Sequence, residues 1–345
     1  MYRKKILDAP NVRSSHTKSV PNLGGIAFYI VLMLSFYFIE DFDTDNLLKG
    51  YTPALTVLFI LGLKDDLLSI SPRVKFAGQV FACVLLISNE HLLFDDFHGF
   101  LGFHEIATIP AYIITLLFVI FIINAFNLID GINGLASVVA CVILFTFGVL
   151  FALEGMVFHS SVCAVLIGAI IAFLRFNLSS KKRIFMGDTG SMILGFTIAL
   201  MSCAMFNMMC VDHEFLSGNK SNIPYLLIGI LIVPIFDTLR IIIIRLFNRK
   251  SPFSPDRNHT HHILTDFKGF SHLKTSITIG IFNLISIMCY FIMAIYFKQW
   301  TLFIVSILLF LGLMIYFFIL NKNLDARKIK YKLKNGRSKK QTKYL

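Results

Sequence analysis

The 345-residue sequence is 56% hydrophobic, with a mean hydropathy of +0.74 and a formal net charge of +12. Soluble domains rarely exceed about half apolar residues, which excludes a water-soluble globule. The apolar residues fall in blocks of about 16 to 22, long enough to cross a bilayer core as helix, so the chain reads as an all-α polytopic integral membrane protein.

The chain opens MYRKKILDAPNVRSSH, polar and basic, and shows no cleavable signal peptide. Ten spans are expected, at approximately 23–40, 47–63, 76–93, 108–123, 134–153, 160–176, 190–209, 223–245, 275–297 and 300–320. Residues 1–320 read as a single transmembrane domain and 321–345 as a basic, mobile cytoplasmic tail that favours anionic headgroups. Alternate connections differ in charge. One set holds Lys49, Lys220 and Lys298 as its basic residues; the other, with both ends of the chain, holds nearly all remaining Lys and Arg. That asymmetry places both termini in the cytoplasm. It also makes the +12 a topology and lipid-surface signal, and argues against nucleic-acid binding. The six cysteines lie in or at the ends of apolar blocks without CxxC spacing, and read as packing residues.

Polar clusters interrupt this pattern, all on the basic side. Asp8–His16 with Pro21–Gly25 offers Arg13, His16 and Lys18 as phosphate donors beside a Gly-Gly opening. Lys64-Asp65-Asp66 ends the second span; adjacent carboxylates repel, which suits a general base or a Mg²⁺ site. NAFNLIDGINGLA, residues 124–136, follows an unbroken apolar run, and its Asn124, Asn127 and Asp130 recur every three residues along one helical stripe. In RIFMGDTGS, Asp188 stands between two glycines at the start of a span, where the backbone and a helix N-terminus can both approach an anion. The largest loop carries SPFSPDRNHTHH; with hard acids elsewhere and no Cys nearby, its histidines suit a phosphate or nucleotide better than zinc. Asp237 and Arg240, three apart in the eighth span, read as an intrahelical pair. Hard carboxylates ringed by cationic donors at a membrane surface describe a phosphoryl-transfer site.

These stretches resemble the polyprenyl-phosphate N-acetylhexosamine-1-phosphate transferases (glycosyltransferase 4, the WecA–TagO–MraY type). The match runs through DAPNVRSSH, PNLGG, KDD, NAFNLIDGINGLA, FMGDTGSMILG, PIFDT and SPFSPDRNHTHH, in the family's order from Asp8 to His262. The HTHH loop is similar to the WecA/TagO branch. The resemblance implies an undecaprenyl-phosphate acceptor and a UDP-N-acetylhexosamine donor, UDP-GlcNAc first, with Mg²⁺ (or Mn²⁺ in its place) as cofactor. It places the protein in the bacterial inner membrane with its site facing the cytoplasm, and leaves room for a homodimer. Residue by residue, it implies catalytic roles for Asp65, Asp66 and Asp130, metal ligation by Asp188 and Asp130, and substrate binding by Asn127, Asn133, Arg257, His259, His261, His262, Arg13 and His16. Asn133 stands where many relatives have Asp, which removes one charge, and Ser14 where many have Lys. The family commonly places a further span before the DxPNxR stretch, whereas seven residues precede Asp8 here; that span is either dispensable or encoded upstream. The same chemistry with UDP-MurNAc-pentapeptide or UDP-FucNAc/QuiNAc, or a non-catalytic lipid-binding or transport protein, are the alternative readings.

Overall fold

The computed structural model describes residues 7–8, 20–208, 220–251 and 258–341. Its helices are α1 (Gly25–Ile39), α2 (Leu47–Leu68), α3 (Pro72–Ile87), α4 (Thr108–Ile129), α5 (Leu135–Leu153), α6 (Val157–Asn177), α7 (Gly187–Met208), α8 (Ile223–Ile230), α9 (Ile232–Phe247), α10 (Thr260–Lys268), α11 (His272–Tyr296) and α12 (Gln299–Gln341). Strands are brief: β1 (Leu7–Asp8) pairs antiparallel with β2 (Val20–Pro21), and β3 (Asp96–Phe100) with β4 (Phe103–Glu105). This is an all-α polytopic membrane protein.

Among the described residues, eight helices are long and apolar enough to span, or nine if a bent pair counts as one span. Each of the ten expected spans has a helical counterpart, and two depart from expectation. α3 has 16 residues, about 24 Å of helix against a hydrocarbon core of about 30 Å. It is kept short by Ser71, which accepts from the Val74 amide as N-cap, with Pro72 at the first helical position. The eighth span breaks at Leu231, where α8 and α9 diverge by 74°. A carbonyl next to the break is recovered by α11, whose Asn283 amide donates to Ile230 O at 3.2 Å. α12 continues as helix through Gln341, into the stretch read as the basic tail.

α7 is the hub, because its sequence offers apolar side chains on every face and the whole span is buried. α1, α2, α4 and α5 pack around it. Small residues permit the closest approaches: a Cβ on Gly25 would lie 2.1 Å from the Gly190 amide nitrogen. Deeper in the bundle, the Tyr51 and Thr197 hydroxyls join α2 to α7 at 2.7 Å. α12 lies at the rim, with only 11% of its span buried. Ile277, Ile281, Leu284 and Met288 of α11 form an exposed apolar surface suited to lipid.

The PNLGG stretch acts as a strap over the start of α7. Phe185 N donates to Pro21 O, Gly24 N to Phe185 O and Gly25 N to Met186 O, each at 2.9 Å. Two sequence-distant motifs thereby form one backbone unit.

Candidate active site

The first corner of the site forms where α2 ends and α7 begins. Asp66, in the last turn of α2, accepts four hydrogen bonds. Oδ1 takes the Asp188 amide and Asn22 Nδ2, both at 2.8 Å; Oδ2 takes the Thr189 amide at 3.0 Å and the Thr189 hydroxyl at 2.6 Å. A carboxylate from one helix thus satisfies the orphan amides that open another, with the sign the α7 dipole favours. Glycine is required at 187: its φ is +74°, and a Cβ there would lie 2.6 Å from Asp66 Oδ2.

Asp65, on the other side of the pair, accepts the Ile70 amide at 2.9 Å, which closes the short α2–α3 turn. That turn brings Lys75 back over the site. Its ammonium donates to Asp65 Oδ2 at 2.9 Å and to Asp188 Oδ1 at 2.5 Å. Asn127 of α4 donates to the same Asp188 oxygen and, at 3.0 Å, to the Ser191 hydroxyl. The Asp188 side chain is 31% exposed, against 13% for Asp65 and 16% for Lys75, so a solute meets Asp188 most readily. Asp130 ends α4 close by. Burial, reinforced by the charges of Asp188 and Asp66, holds its carboxyl well above the usual carboxylate range. Asp65, Asp66, Asp130, Asp188 and Asn127 are therefore brought together.

Further along the polar stripe, Asn124 pairs with Gln79 of α3, donating to Gln79 Oε1 at 2.9 Å and to Ile120 O at 2.8 Å. Asn133 is half-buried, and its carbonyl accepts the Ser276 hydroxyl of α11 at 3.1 Å.

The second corner is the start of α10. His259 Nδ1 lies 2.7 Å from Asp237 Oδ2, and Asp237 Oδ1 accepts the Thr260 amide at 2.8 Å. Asp237 and Arg240 do not form the intrahelical pair expected from their spacing. Both reach across to the chain that enters α10, and Arg240 Nη1 donates to Asn258 O at 2.6 Å. Arg240 also lies over the Phe317 ring of α12 at 5.1 Å. The His261 ring stacks on His259, 5.4 Å away and 18° from parallel. Its far side abuts the turn after Asp130, where a Cβ on Gly131 would lie 2.3 Å from His261 Nε2. Both His261 ring nitrogens are buried without a hydrogen-bond partner. Burial drives its imidazole well below the ordinary value, which keeps it neutral. His262 is half-buried, its ring 4.3 Å from that of His261. The histidine helix and the Asp130 turn are therefore in contact. Arg13, His16, Lys18 and Arg257 lie outside the described residues.

The motif reading left the partners undivided between structure and chemistry. Asn22 lies inside PNLGG and Lys75 just beyond the KDD cluster, neither with a role of its own in the motif reading, and Gln79 is a lone amide in an apolar run. Each could have been found by asking what neutralises or satisfies a polar group inside a membrane helix.

The acidic corner also fits a hard divalent cation. Among the described residues, no group of three or more Asp, Glu, His or Cys side chains is arranged to enclose a metal ion. Mg²⁺ does not need such a cage, since it keeps several waters and takes one or two carboxylates plus substrate phosphate oxygens. Four carboxylates share this corner, Lys75 pairs with two of them, and Asp130 is destabilised as an anion first by burial and then by the charges of Asp188 and Asp66. The side-chain donors here are oxygens, the hard ligands such a cation takes.

The fold and this corner together define a membrane-embedded protein with a polar, carboxylate-rich site at one end of its bundle. Comparison with known proteins gives that class a family. The model of glycosyl transferase family 4 matches residues 49–206. A probable undecaprenyl-phosphate N-acetylglucosaminyl 1-phosphate transferase of Bacillus subtilis (strain 168) is 32% identical over 280 residues, covering 81% of this chain and 75% of its own length. The undecaprenyl-phosphate alpha-N-acetylglucosaminyl 1-phosphate transferase of Pasteurella multocida (strain Pm70) is 33% identical over 264 residues, 75% of this chain and 71% of its own. The protein of that name from Escherichia coli (strain K12) is 27% identical over 264 residues, with 75% and 69% covered. The chain belongs to glycosyl transferase family 4, on its WecA/TagO side.

Proposed function

We propose that this protein transfers N-acetylglucosamine 1-phosphate from UDP-GlcNAc to undecaprenyl phosphate, on the cytoplasmic face of the bacterial inner membrane. An oxygen of the lipid phosphate attacks the β-phosphorus of the nucleotide sugar. The bond from that phosphorus to the bridging oxygen breaks, and UMP leaves with the electron pair. The products are undecaprenyl-diphosphate-GlcNAc and UMP. The observation that supports this reading best is the convergence of Asp188, Asp65, Lys75 and Asn127 at one end of the bundle, where a lipid headgroup and a soluble nucleotide can both arrive. The similarity to N-acetylglucosaminyl 1-phosphate transferases supports the donor. The Lys and Arg asymmetry of the connections supports the cytoplasmic orientation.

In this reading Asp188 and Asp130 hold Mg²⁺. The cation supplies charge neutralisation between two anionic reactants. Lys75 adds a mobile positive charge that can pass from the carboxylates to an incoming phosphate. Asn127 fixes the rotamer of Asp188. Asp66 has its acceptor sites taken by α7 and Asn22, so its part is to hold Asp188 in place; Asp65 keeps the freer carboxylate of the pair. The lipid phosphate is mostly ionised near pH 7, its second pKa being about 6, so little base assistance is required. His259, His261 and His262 line the donor side, with Arg257, Arg13 and His16 as further phosphate donors.

The test is UMP release by purified protein given undecaprenyl phosphate, Mg²⁺ and a panel of UDP-GlcNAc, UDP-MurNAc-pentapeptide and UDP-FucNAc or UDP-QuiNAc. Release with UDP-GlcNAc alone is expected. Release with another donor alone replaces the sugar, and no release from any donor removes the reaction.

A further inference from the structure

The clamp that α9 places on the start of α10 extends beyond helix capping. Arg240 and Asp237, one turn apart, hold three successive residues: Arg240 the carbonyl of Asn258, Asp237 the ring of His259 and the amide of Thr260. Asp237 is 1% exposed and the His259 side chain 7%. Of Asp237's two bonds, the one to the Thr260 amide needs only an acceptor, and an asparagine oxygen could make it. The bond to His259 Nδ1 is different in kind. A carboxylate can only accept, so it requires a proton on Nδ1, and in the neutral ring that leaves Nε2 as the nitrogen without one. The ring is then fixed by the Asp237 oxygen on one edge and the parallel His261 ring on one face. His261 in turn rests against Gly131, next to Asp130. The oriented imidazole is thus joined by packing to the acidic corner.

We propose that Asp237 is a positioning residue for the transfer reaction, holding His259 as the Nδ1–H tautomer so that Nε2 is the nitrogen free to meet the substrate. The role rests on the reaction proposed above. Carboxylate–imidazole pairs orient metal-bound histidines in this way, and losing such a partner costs about 10–100-fold in metal affinity or activity. The titratable groups facing His259 are Asp237 from α9 and His261 and His262 from α10.

The experiment is a double-mutant cycle on UMP release with purified protein, combining Asp237→Asn and His259→Ala. Asparagine keeps the acceptor for Thr260 but turns an N–H toward Nδ1, which forces the other tautomer. Asp237→Asn is expected to lower kcat about 10–100-fold with KM for the nucleotide sugar within about twofold. In the His259→Ala background the same change should cost less than about twofold further. A purely structural cap predicts additive losses, which would overturn the assignment, as would a fully active Asp237→Asn enzyme. Should Asp237→Asn fail to fold, proton NMR of the wild-type protein decides. A downfield Nδ1–H resonance that disappears in His259→Gln supports the proposal, and its absence from the wild type overturns it. Wild-type protein that releases no UMP from any donor refutes the reaction instead, and the same resonance still decides whether the tautomer is held.

Discussion

The two corners of the site are built by the same device and put to different ends. In each, a carboxylate on one helix caps the start of another: half-buried Asp66 caps α7, and buried Asp237 caps α10. Asp66 gives all four acceptor positions to protein donors. Asp237 gives one oxygen to a backbone amide and the other to an imidazole. A carboxylate saturated with fixed donors is scaffold, and what it positions is its neighbour, Asp188. A carboxylate that spends half its capacity on a titratable ring transmits orientation to a group that can carry a proton. The contrast predicts that two capping acids differ in what their loss removes: stability at Asp66, and the orientation of His259 at Asp237.

The largest effect tests the scaffold's cargo. Asp188→Ala should lower UMP release by about 10²–10³-fold or more, while the unfolding temperature changes less than in Asp66→Ala, because the Asp188 side chain is 31% exposed, against 13% for Asp65. Full activity in that variant would remove the metal assignment. Asp66→Ala should behave in the opposite order. It leaves two α7 amides, the Thr189 hydroxyl and Asn22 without their acceptor. A destabilisation of about 2–3 kcal/mol is expected, the cost of leaving hydrogen-bonded donors unmatched at a half-buried site. Thermal unfolding in detergent measures it. An Asp66→Ala protein as stable as wild type would show that the cap is dispensable and the two acids alike.

How far the sequence led can be argued from these residues. The membrane class was plain because lipid requires long apolar runs, and these survive any packing arrangement. Helix starts were less exact: α3 begins at Pro72, behind its Ser71 cap, rather than at 76, and α7 at Gly187 rather than at 190. What could not be read was partnership. Asp237 and Arg240 have helical pair spacing, yet each finds a better partner outside its helix, since α9 turns by 74° and presents both to α10. The same bend and the shortness of α3 are why eight helices, or nine with the bent pair counted as one span, are long and apolar enough to cross among the described residues. A break in an apolar run leaves no compositional mark when the carbonyls it frees are satisfied from another helix, as Asn283 does at Ile230.

The histidine corner has its own signature in pH. Because His261 is buried and neutral in the folded protein, its imidazole binds a proton less readily there than in the unfolded chain. Stability attached to it is fully present above the ordinary value of 6.5 and is lost as pH falls below that, toward the folded-state value. The slope approaches about 1.4 kcal/mol per pH unit for one such group. His261→Gln, which removes the titration, should flatten the fall in unfolding temperature between neutral and mildly acidic pH. An unchanged acid limb would mean that the ring is not buried neutral, and that the contact with the Asp130 turn is looser than described.

The smallest effect separates the two halves of the polar stripe on α4. Asn127 acts on Asp188, whereas Asn124 bonds to Gln79 and to its own helix. Equal spacing in the sequence therefore conceals an unequal division. Gln79→Leu should cost about 1 kcal/mol, since amide pairs inside membrane proteins are modest and the orphaned Asn124 retains its bond to Ile120 O. Adding Asn124→Leu should recover most of that loss, because replacing both partners by apolar groups removes the unsatisfied polar atoms together with the bond. UMP release should stay within about twofold throughout, the magnitude of a change that leaves site geometry alone. A large loss of activity in Gln79→Leu at unchanged stability would extend the chemical corner one turn deeper into the membrane. The stripe would then be one functional surface from Asn124 to Asp130.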